Sequence, residues 1–202
     1  MPIFPSTVAI ATLSSRVLDT SNAKEPRAGV VAALKVTGDP DNLTFSLRTH
    51  VPSSAARLTH WVDDLVADDP MLVGHRLART SRLLTASGYK RRLAGTFSRE
   101  GQYDVLDVVR GRPTPLSTIA LMHGVMAVDE EALLAARPIG ADVAGGLALV
   151  NAVASWVVYV GRVTPGKAGR AVRRQALRQL GAALSDAPAH ELLLAAMTCS
   201  AQ

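Results

Sequence analysis

Cysteine and aromatic residues are scarce in this chain. Cys199 is the single cysteine among 202 residues, and aromatic residues make up 4% of the sequence. One cysteine excludes an intramolecular disulfide, and we expect a reducing compartment, the cytoplasm. The low aromatic content excludes a rich base-stacking platform, so any contact with nucleic acid is expected mainly at phosphate groups.

A recognisable targeting signal is also missing from the first residues. The apolar segment from Met1 to Leu13 has neither a basic start nor a small-residue cleavage pattern. Both features are typical of a secretory signal peptide, so we expect this segment to form a strand instead.

One long apolar stretch raises the question of a membrane span. Residues 143–161 include no charged side chain, and a spanning helix needs about 20 apolar residues. However, Gly145, Gly146, Asn151 and Ser155 lower the hydropathy of this stretch. We therefore expect a buried core helix and consider a membrane association unlikely.

Hydrophobic residues and positive charge are abundant. The chain is 48% hydrophobic, which is enough for one sizeable core, and we expect residues 1–202 to form a single domain. The formal net charge is +5. A basic balance of this kind favours anionic partners such as nucleic acid or a membrane surface.

The order of strand and helix signals indicates an α/β fold. Strand patterns cover residues 8–13, 29–37, 43–51, 71–74 and 103–109, and helix patterns cover residues 52–69, 77–87, 115–123, 129–136, 142–161, 166–184 and 190–197. This order predicts a mixed sheet flanked by helices, in which a three-stranded antiparallel meander precedes parallel strands. Residues 164–202 are expected to form a helical C-terminal extension of the same domain.

A glycine–histidine motif follows the fourth predicted strand. Gly74 and His75 stand within an apolar frame that resembles the second sequence block of the DEDD, DnaQ-like 3′–5′ exonucleases, which have the ribonuclease H-like fold. In that family the block contains an Asn, where this chain has Arg76. It also contains an Asp that holds a catalytic metal ion, where this chain has Ser81. The resemblance implies a structural role for His75.

Two further segments are similar to blocks of the same family. Its first strand ends in a D-x-E pair, and the matching positions here are Ala11 and Leu13. The strand that contains Asp104 resembles the family's D-L-x-D segment. Residues 115–124 resemble its S-L-x-x-L-A-x-x-x-G helix.

The last similar block lies in the long apolar helix. Residues 147–161 resemble the final block of bacterial relatives of polymerase-B-type exonucleases. Asn151 then takes the place of the final catalytic Asp, and Leu147 takes the place of the general-base Tyr. The whole resemblance covers about residues 8–184 and implies a ribonuclease H-like fold.

Two-metal phosphodiester hydrolysis depends on clustered carboxylates. Two divalent ions about 3.5–4 Å apart activate the water and stabilise the leaving oxygen, and Mg²⁺ and Mn²⁺ require charged oxygen ligands. The positions that match the family's carboxylates are Ala11, Leu13, Ser81 and Asn151. The resemblance therefore implies a catalytically degenerate, exonuclease-like pseudoenzyme with no catalytic residue, no metal site and no cofactor.

An active metal-dependent 3′–5′ exonuclease with a relocated acidic site is the alternative. Asp19, Asp104 and Asp142 are the acids that could rebuild such a site around Mg²⁺ or Mn²⁺. Asp107 is expected on the opposite face of the strand from Asp104. The acidic pair Glu130-Glu131 is expected to be a solvated helix start.

Two groups of cations are candidate phosphate-binding residues. Arg76, Arg79 and Arg82 follow one another at three-residue spacing. The second group lies on one side of the C-terminal helix and consists of Lys167, Arg170, Arg173, Arg174 and Arg178. Each group is either an ordinary solvated face or a phosphate-binding face. We therefore predict binding to nucleic acid or to a partner protein, with a structural subunit that packs through residues 147–159 in an oligomer as a further alternative.

Overall fold

The computed structural model describes residues 6–18, 26–89, 101–109, 111–135 and 138–185. Five strands form one sheet: β1 (Thr7–Ser14), β2 (Ala28–Asp39), β3 (Asn42–His50), β4 (Met71–Gly74) and β5 (Gln102–Asp104). Two short strands, β6 (Val108–Val109) and β7 (Arg112–Pro113), form a separate hairpin. The α-helices of the described part are α1 (Ala55–Val66), α2 (Leu77–Ala86), α3 (Leu116–Met122), α4 (Glu130–Ala135), α5 (Ala141–Val163) and α6 (Gly166–Ser185), and a 3₁₀ helix covers Ser15–Leu18.

The sheet is mixed, and its strands lie in the order β3-β2-β1-β4-β5. β1, β2 and β3 form an antiparallel meander, whereas β4 is parallel to β1 and β5 is parallel to β4. The predicted α/β class, with a meander followed by parallel strands, is confirmed. Because β1, β4 and β5 run in the same direction, their C-terminal ends meet at one end of the sheet.

Alternate residues of β1 face two different helical layers. Ala9 and Leu13 belong to the apolar cluster that contains α5. Val8 and Ile10 belong to the cluster on the other face, which contains the buried side chains of α1 and the first residue of α2. This alternation follows from the two-residue period of a strand, and it places every second side chain near the end of β1 towards α5.

The first helix shows how the local sequence sets the element boundaries. The Ser54 side chain accepts a hydrogen bond from Arg57 N–H at 3.3 Å and so caps the start of α1. Leu58, Val62 and Leu65 are buried on one stripe of the helix, as their three- and four-residue spacing predicts. α1 therefore covers one face of the sheet.

Helix α5 is the core helix that its apolar sequence predicts. Within the described residues it is the one helix long and apolar enough to cross a membrane, and 89% of its apolar window is buried in the fold. Trp156 donates from Nε1 to Thr7 Oγ1 at 3.2 Å and packs edge-on against Phe45. This burial is consistent with a soluble protein. Residues 148–160 are all buried, so they expose little surface for packing against another chain.

Helix α6 forms the described part of the predicted C-terminal extension. Gln179 accepts from Leu43 N–H at 2.7 Å and donates to the Pro40 carbonyl at 2.9 Å. Gln175 donates to Asp41 at 2.9 Å. These bonds dock α6 on the turn between β2 and β3. The helix predicted at residues 190–197 lies outside the described residues.

The single strand predicted at residues 103–109 is wrong in the structure. β5 ends at Asp104, and the next strand residue is Val108, in the separate hairpin. Asp104 Oδ1 accepts a hydrogen bond from Leu106 N–H at 3.1 Å, and such a local bond turns the chain out of the sheet. Asp104 and Asp107 therefore do not occupy opposite faces of one strand.

Candidate functional site

A cavity of about 310 Å³ lies where β1 and β4 end, between the first turns of α2, the helix α4 and the middle of α5. Ligands of open α/β sheets commonly bind at the C-terminal ends of parallel strands. The polar side chains that line this cavity include those of Thr12, His75, Arg76, Arg79, Thr80, Glu130 and Asn151. We call this cavity the cleft.

The chain enters α2 through a tight turn at the rim of the cleft. A Cβ atom at Gly74 would lie 2.5 Å from Leu77 Cδ2 and 3.0 Å from the Ile10 carbonyl oxygen, so a larger residue there would require Leu77 and the backbone at Ile10 to shift. Arg76 has φ 56° and ψ 51°, the left-handed conformation that Asn adopts more readily than Arg.

Asp104 fixes the start of α2 from a neighbouring strand. Its Oδ1 accepts from Arg76 N–H and its Oδ2 accepts from Leu77 N–H, both at 2.9 Å. Both amides belong to the helix start and have no partner within the helix. The two oxygens of Asp104 are thus engaged in a helix cap, and Asp104 does not line the cleft.

The other acids considered for a relocated metal site are not gathered near the cleft either. Asp107 pairs with Arg162 at 2.6 Å, and Asp142 lies exposed in the first turn of α5, whereas Asn151 is near the middle of that helix. Asp19 lies outside the described residues. Among the residues that the structure describes, no group of three His, Cys, Asp or Glu side chains could hold a metal ion.

The structure brings together two of the four positions that match the family's carboxylates. Ala11 and Asn151 line the cleft. Leu13 is packed in the core at 1% exposure, and Ser81 points away from the cleft. Of the α2 residues, Arg79 and Thr80 line the cleft, and Thr80 is one position before the predicted Ser81.

Helical spacing was the signal that could have identified Thr80. Thr80 stands four positions after Arg76 and therefore shares its helix face, whereas Ser81 stands five positions after it. The buried hydroxyl of Thr80 lies 3.3 Å from the hydroxyl of Thr12, which donates to it. A neutral hydroxyl pair thus occupies this wall of the cleft.

Asn151 lies in the cleft, but its amide group is used by the chain itself. Its Oδ1 accepts from Val128 N–H at 2.7 Å and its Nδ2 donates to the Val128 carbonyl at 3.1 Å. An amide can make both bonds at once because it carries a donor and an acceptor side by side. Asn151 therefore anchors the segment that precedes α4.

Glu130 corrects the prediction of a solvated acidic pair. Its side chain is 12% exposed, Oε1 accepts from Ser14 N–H at 2.9 Å, and Oε2 accepts from the guanidinium of Arg79. The hydrogen bond to Glu130 raises the pKa of Arg79, although burial of the guanidinium acts in the opposite direction. Of the two acids in this pair, only Glu131 is exposed, as predicted. The sequence gives no local signal for the burial of Glu130, because its partners are far away along the chain.

His75 links two segments of the chain at the cleft. Its Nε2–H donates to the Thr114 carbonyl at 2.9 Å and joins the end of β4 to the segment before α3. Burial lowers the pKa of His75, an effect that the Thr114 hydrogen bond and the charge of Asp104 partly oppose. The neutral imidazole is thus favoured at neutral pH.

The two basic groups lie at opposite ends of the sheet. Arg76 and Arg79 line the cleft at the end of β1, and Arg82 is exposed further along α2. α5 runs antiparallel to β1, since Asn151 is at the cleft whereas Trp156 contacts Thr7 at the start of β1. α6 therefore starts at the end of the sheet that is remote from the cleft, and the two groups do not form one surface.

The basic group on α6 forms an unpaired, exposed face. Lys167, Arg170, Arg174 and Arg178 are exposed, and Arg173 is half-buried. Within the described residues, none of these cations forms an ion pair. Arg173 lies close enough to His123 to lower the pKa of that imidazole, after the larger effect of burial and alongside Arg162.

No protein-family model, curated protein or solved structure matches this chain. The functional proposals below depend on the arrangement of its own residues.

Proposed function

We propose that this chain is a catalytically inactive relative of the DnaQ-like 3′–5′ exonucleases that binds nucleic-acid phosphate groups through the exposed basic face of α6. The meander followed by helix-crossed parallel strands, in the order β3-β2-β1-β4-β5, supports a ribonuclease H-like scaffold. The position of the cleft at the ends of β1 and β4 supports the same scaffold.

The composition of the cleft supports binding without cleavage. Ala11, Thr80 and Asn151 stand where clustered carboxylates would be needed, and hydroxyl or amide oxygens do not offset the charge of two divalent cations. Asp129, Glu130 and Glu131 also line the cleft, but Glu130 is paired with Arg79. Among the described residues, no group of three His, Cys, Asp or Glu side chains could hold a metal ion. We accordingly expect no cleavage of labelled single strands in Mg²⁺ or Mn²⁺.

The single observation that carries the proposal is the charge pattern of α6. Lys167, Arg170, Arg174 and Arg178 follow one another at spacings of three, four and four residues, which places them along one helix face. Residues 166–185 contain no acidic side chain. An unpaired row of this kind is suited to the regular charges of a phosphate backbone.

Binding through phosphate contacts has a measurable signature. The logarithm of the binding constant falls with the logarithm of the salt concentration, with a slope of about −0.9 for each phosphate neutralised on double-stranded DNA. Contacts from the exposed cations of α6 thus predict a slope of about −3 to −4. The low aromatic content predicts little preference between base sequences.

Fluorescence anisotropy with labelled single- and double-stranded DNA and RNA tests the proposal. The triple variant Arg170→Glu/Arg174→Glu/Arg178→Glu should lose most of its binding and most of the salt slope. The matched control Arg16→Glu/Arg57→Glu/Arg112→Glu changes the net charge equally at three exposed arginines outside α6 and should retain both. Absence of binding at low salt, or equal losses in the two triple variants, would contradict the proposal.

A further inference from the structure

The cleft already binds one oxyanion, and that oxyanion belongs to the chain itself. Glu130 is held by the Arg79 guanidinium and by Ser14 N–H. A guanidinium and a backbone amide that converge on one carboxylate are the donors that also bind phosphate groups. Arg76 lines the same cleft, and within the described residues it has no ion-pair partner.

The segment that carries Glu130, residues 127–135, is held by partly buried apolar side chains and by a few polar contacts. Ala127, Val128 and Leu133 are partly buried and pack against the main core, but no residue of α4 is fully buried. Among the described residues, the polar contacts between this segment and the walls of the cleft are the two bonds from Asn151 to Val128 and the bonds of Glu130 to Arg79 and Ser14. An element with no fully buried residue opens locally at a lower free energy than a core element does. This segment is therefore the part of the cleft wall that a ligand can displace.

We propose that the cleft is a phosphate site that residues 127–135 close, with the carboxylate of Glu130 in the place of the phosphate. When the segment moves out, a phosphate monoester or inorganic phosphate takes its place. The phosphate oxygens then accept hydrogen bonds from Arg79, Ser14 N–H and Arg76. The second, unpaired guanidinium favours a doubly charged phosphate over a singly charged carboxylate. The Thr12 and Thr80 hydroxyls lie on the same wall and add neutral hydrogen-bonding groups.

Movement of the segment out of the cleft also makes the cleft more positive, which favours an anionic ligand. Asp129, Glu130 and Glu131 all line the closed cleft, and all three lie on the segment. Asp129 Oδ1 accepts from Glu131 N–H at 3.0 Å, a bond internal to the segment. Departure of the segment thus removes the three acids together and leaves Arg76 and Arg79, so the opened cleft is positive.

Titration calorimetry with inorganic phosphate on the Glu130→Gln variant tests the site directly. Gln keeps the volume of the side chain but loses its charge, so phosphate should bind at least about tenfold more tightly to this variant than to the unchanged protein. The Arg79→Ala/Glu130→Gln variant should lose that binding. Glu131→Gln, the matched control at the exposed neighbour, should behave as the unchanged protein does.

A second variant keeps Glu130 and loosens the segment elsewhere. Asn151→Leu removes both side-chain bonds to Val128 without adding a charge to the cleft, so the segment opens more often and phosphate affinity should rise. Titration calorimetry with phosphate on this second variant also tests the site if Glu130→Gln does not fold, as judged by circular dichroism. Acetate in place of phosphate should bind more weakly to either variant.

The outcome separates this site from the nucleic-acid face of α6. The Arg170→Glu/Arg174→Glu/Arg178→Glu variant, combined with Glu130→Gln, should keep its phosphate affinity even if it no longer binds nucleic acid. The proposal is overturned if neither Glu130→Gln nor Asn151→Leu binds phosphate more tightly than the unchanged protein. It is also overturned if the binding persists without the Arg79 side chain.

Discussion

The side chain of Asn151 shows how one residue can occupy a functional position and still serve the fold. It lines the cleft, yet both ends of its amide are bonded to Val128. Asp could not make this pair of bonds, since a carboxylate has no donor. The amide at this position therefore serves as an internal anchor.

The anchor gives a first prediction, at the scale of one residue. Asn151→Leu should lower the free energy of unfolding by about 2 kcal/mol, because Val128 N–H and C=O lose their side-chain partners in a partly buried place. Urea unfolding followed by circular dichroism measures this change. Ser155→Ala, one turn further along α5, serves as the control because its hydroxyl donates only to its own helix at Asn151 O. A loss of stability no larger than that of the control would contradict the anchor.

At the scale of elements, α2 depends on a cap that comes from β5. Arg76 and Leu77 donate to the Asp104 carboxylate, and this contact joins two elements that are separated along the chain by a segment outside the described residues. The helix begins with Arg76 in the left-handed conformation, which an Arg side chain does not favour. The cap from Asp104 helps to hold this start in place.

The second prediction concerns this cap. Asp104→Ala should destabilise the protein by about 1–2 kcal/mol, the usual cost of losing a helix N-cap. Thermal or urea unfolding measures the effect. Asp64→Ala is the control, since it removes only an exposed ion pair with Arg48, which is expected to contribute less than about 1 kcal/mol. If Asp104→Ala abolished a metal-dependent nuclease activity while the stability stayed unchanged, Asp104 would be a catalytic acid and not a cap.

The elements also show which parts of the fold the sequence could predict. α1, α2, α3 and α5 begin and end close to their predicted bounds, because the apolar period lies within each segment. The strand predicted at residues 103–109 failed because Asp104 turns the chain by a local side-chain bond, which the alternation of apolar residues does not reveal. Ser81 was predicted in place of Thr80 because a single position separates two faces of a helix.

At the scale of the whole molecule, the two basic regions that we propose to bind anions lie at opposite ends of the sheet. The cleft lies at the end of β1, whereas α6 docks on the turn between β2 and β3, at the other end of the sheet. The net charge of +5 is a property of the whole chain and does not show that the two regions differ in kind. One is an exposed row of unpaired cations, and the other is a cleft in which a buried acid neutralises one of two arginines.

The third prediction concerns three half-buried histidines, His50, His75 and His123. Burial lowers the pKa of His50, His75 and His123 below the ordinary value of 6.5, and nearby arginines lower it further. The unfolded chain therefore binds more protons than the folded chain near pH 6, and the free energy of unfolding rises with pH in that range. The stability from these neutral histidines should be complete above pH 6.5 and should be lost as the pH falls below that value.

Urea unfolding between about pH 7 and pH 5 measures this dependence. His75→Gln should give a shallower slope, because Gln can keep the donor to the Thr114 carbonyl without titrating in this range. The control is His60→Gln, which replaces an exposed histidine of α1. A slope that is the same in His75→Gln as in the unchanged protein would show that His75 does not contribute to acid sensitivity.

The sequence by itself determined the order of most elements and the uneven charge of α6, because these features depend on neighbouring residues. It also determined that positions 11, 13, 81 and 151 carry no carboxylate. Only the tertiary structure decided that Glu130 is buried against Arg79, 51 positions away in sequence, and that Asn151 holds Val128. A buried ion pair or a backbone anchor forms between segments that packing brings together, and no local pattern of residues records which partner each side chain will find.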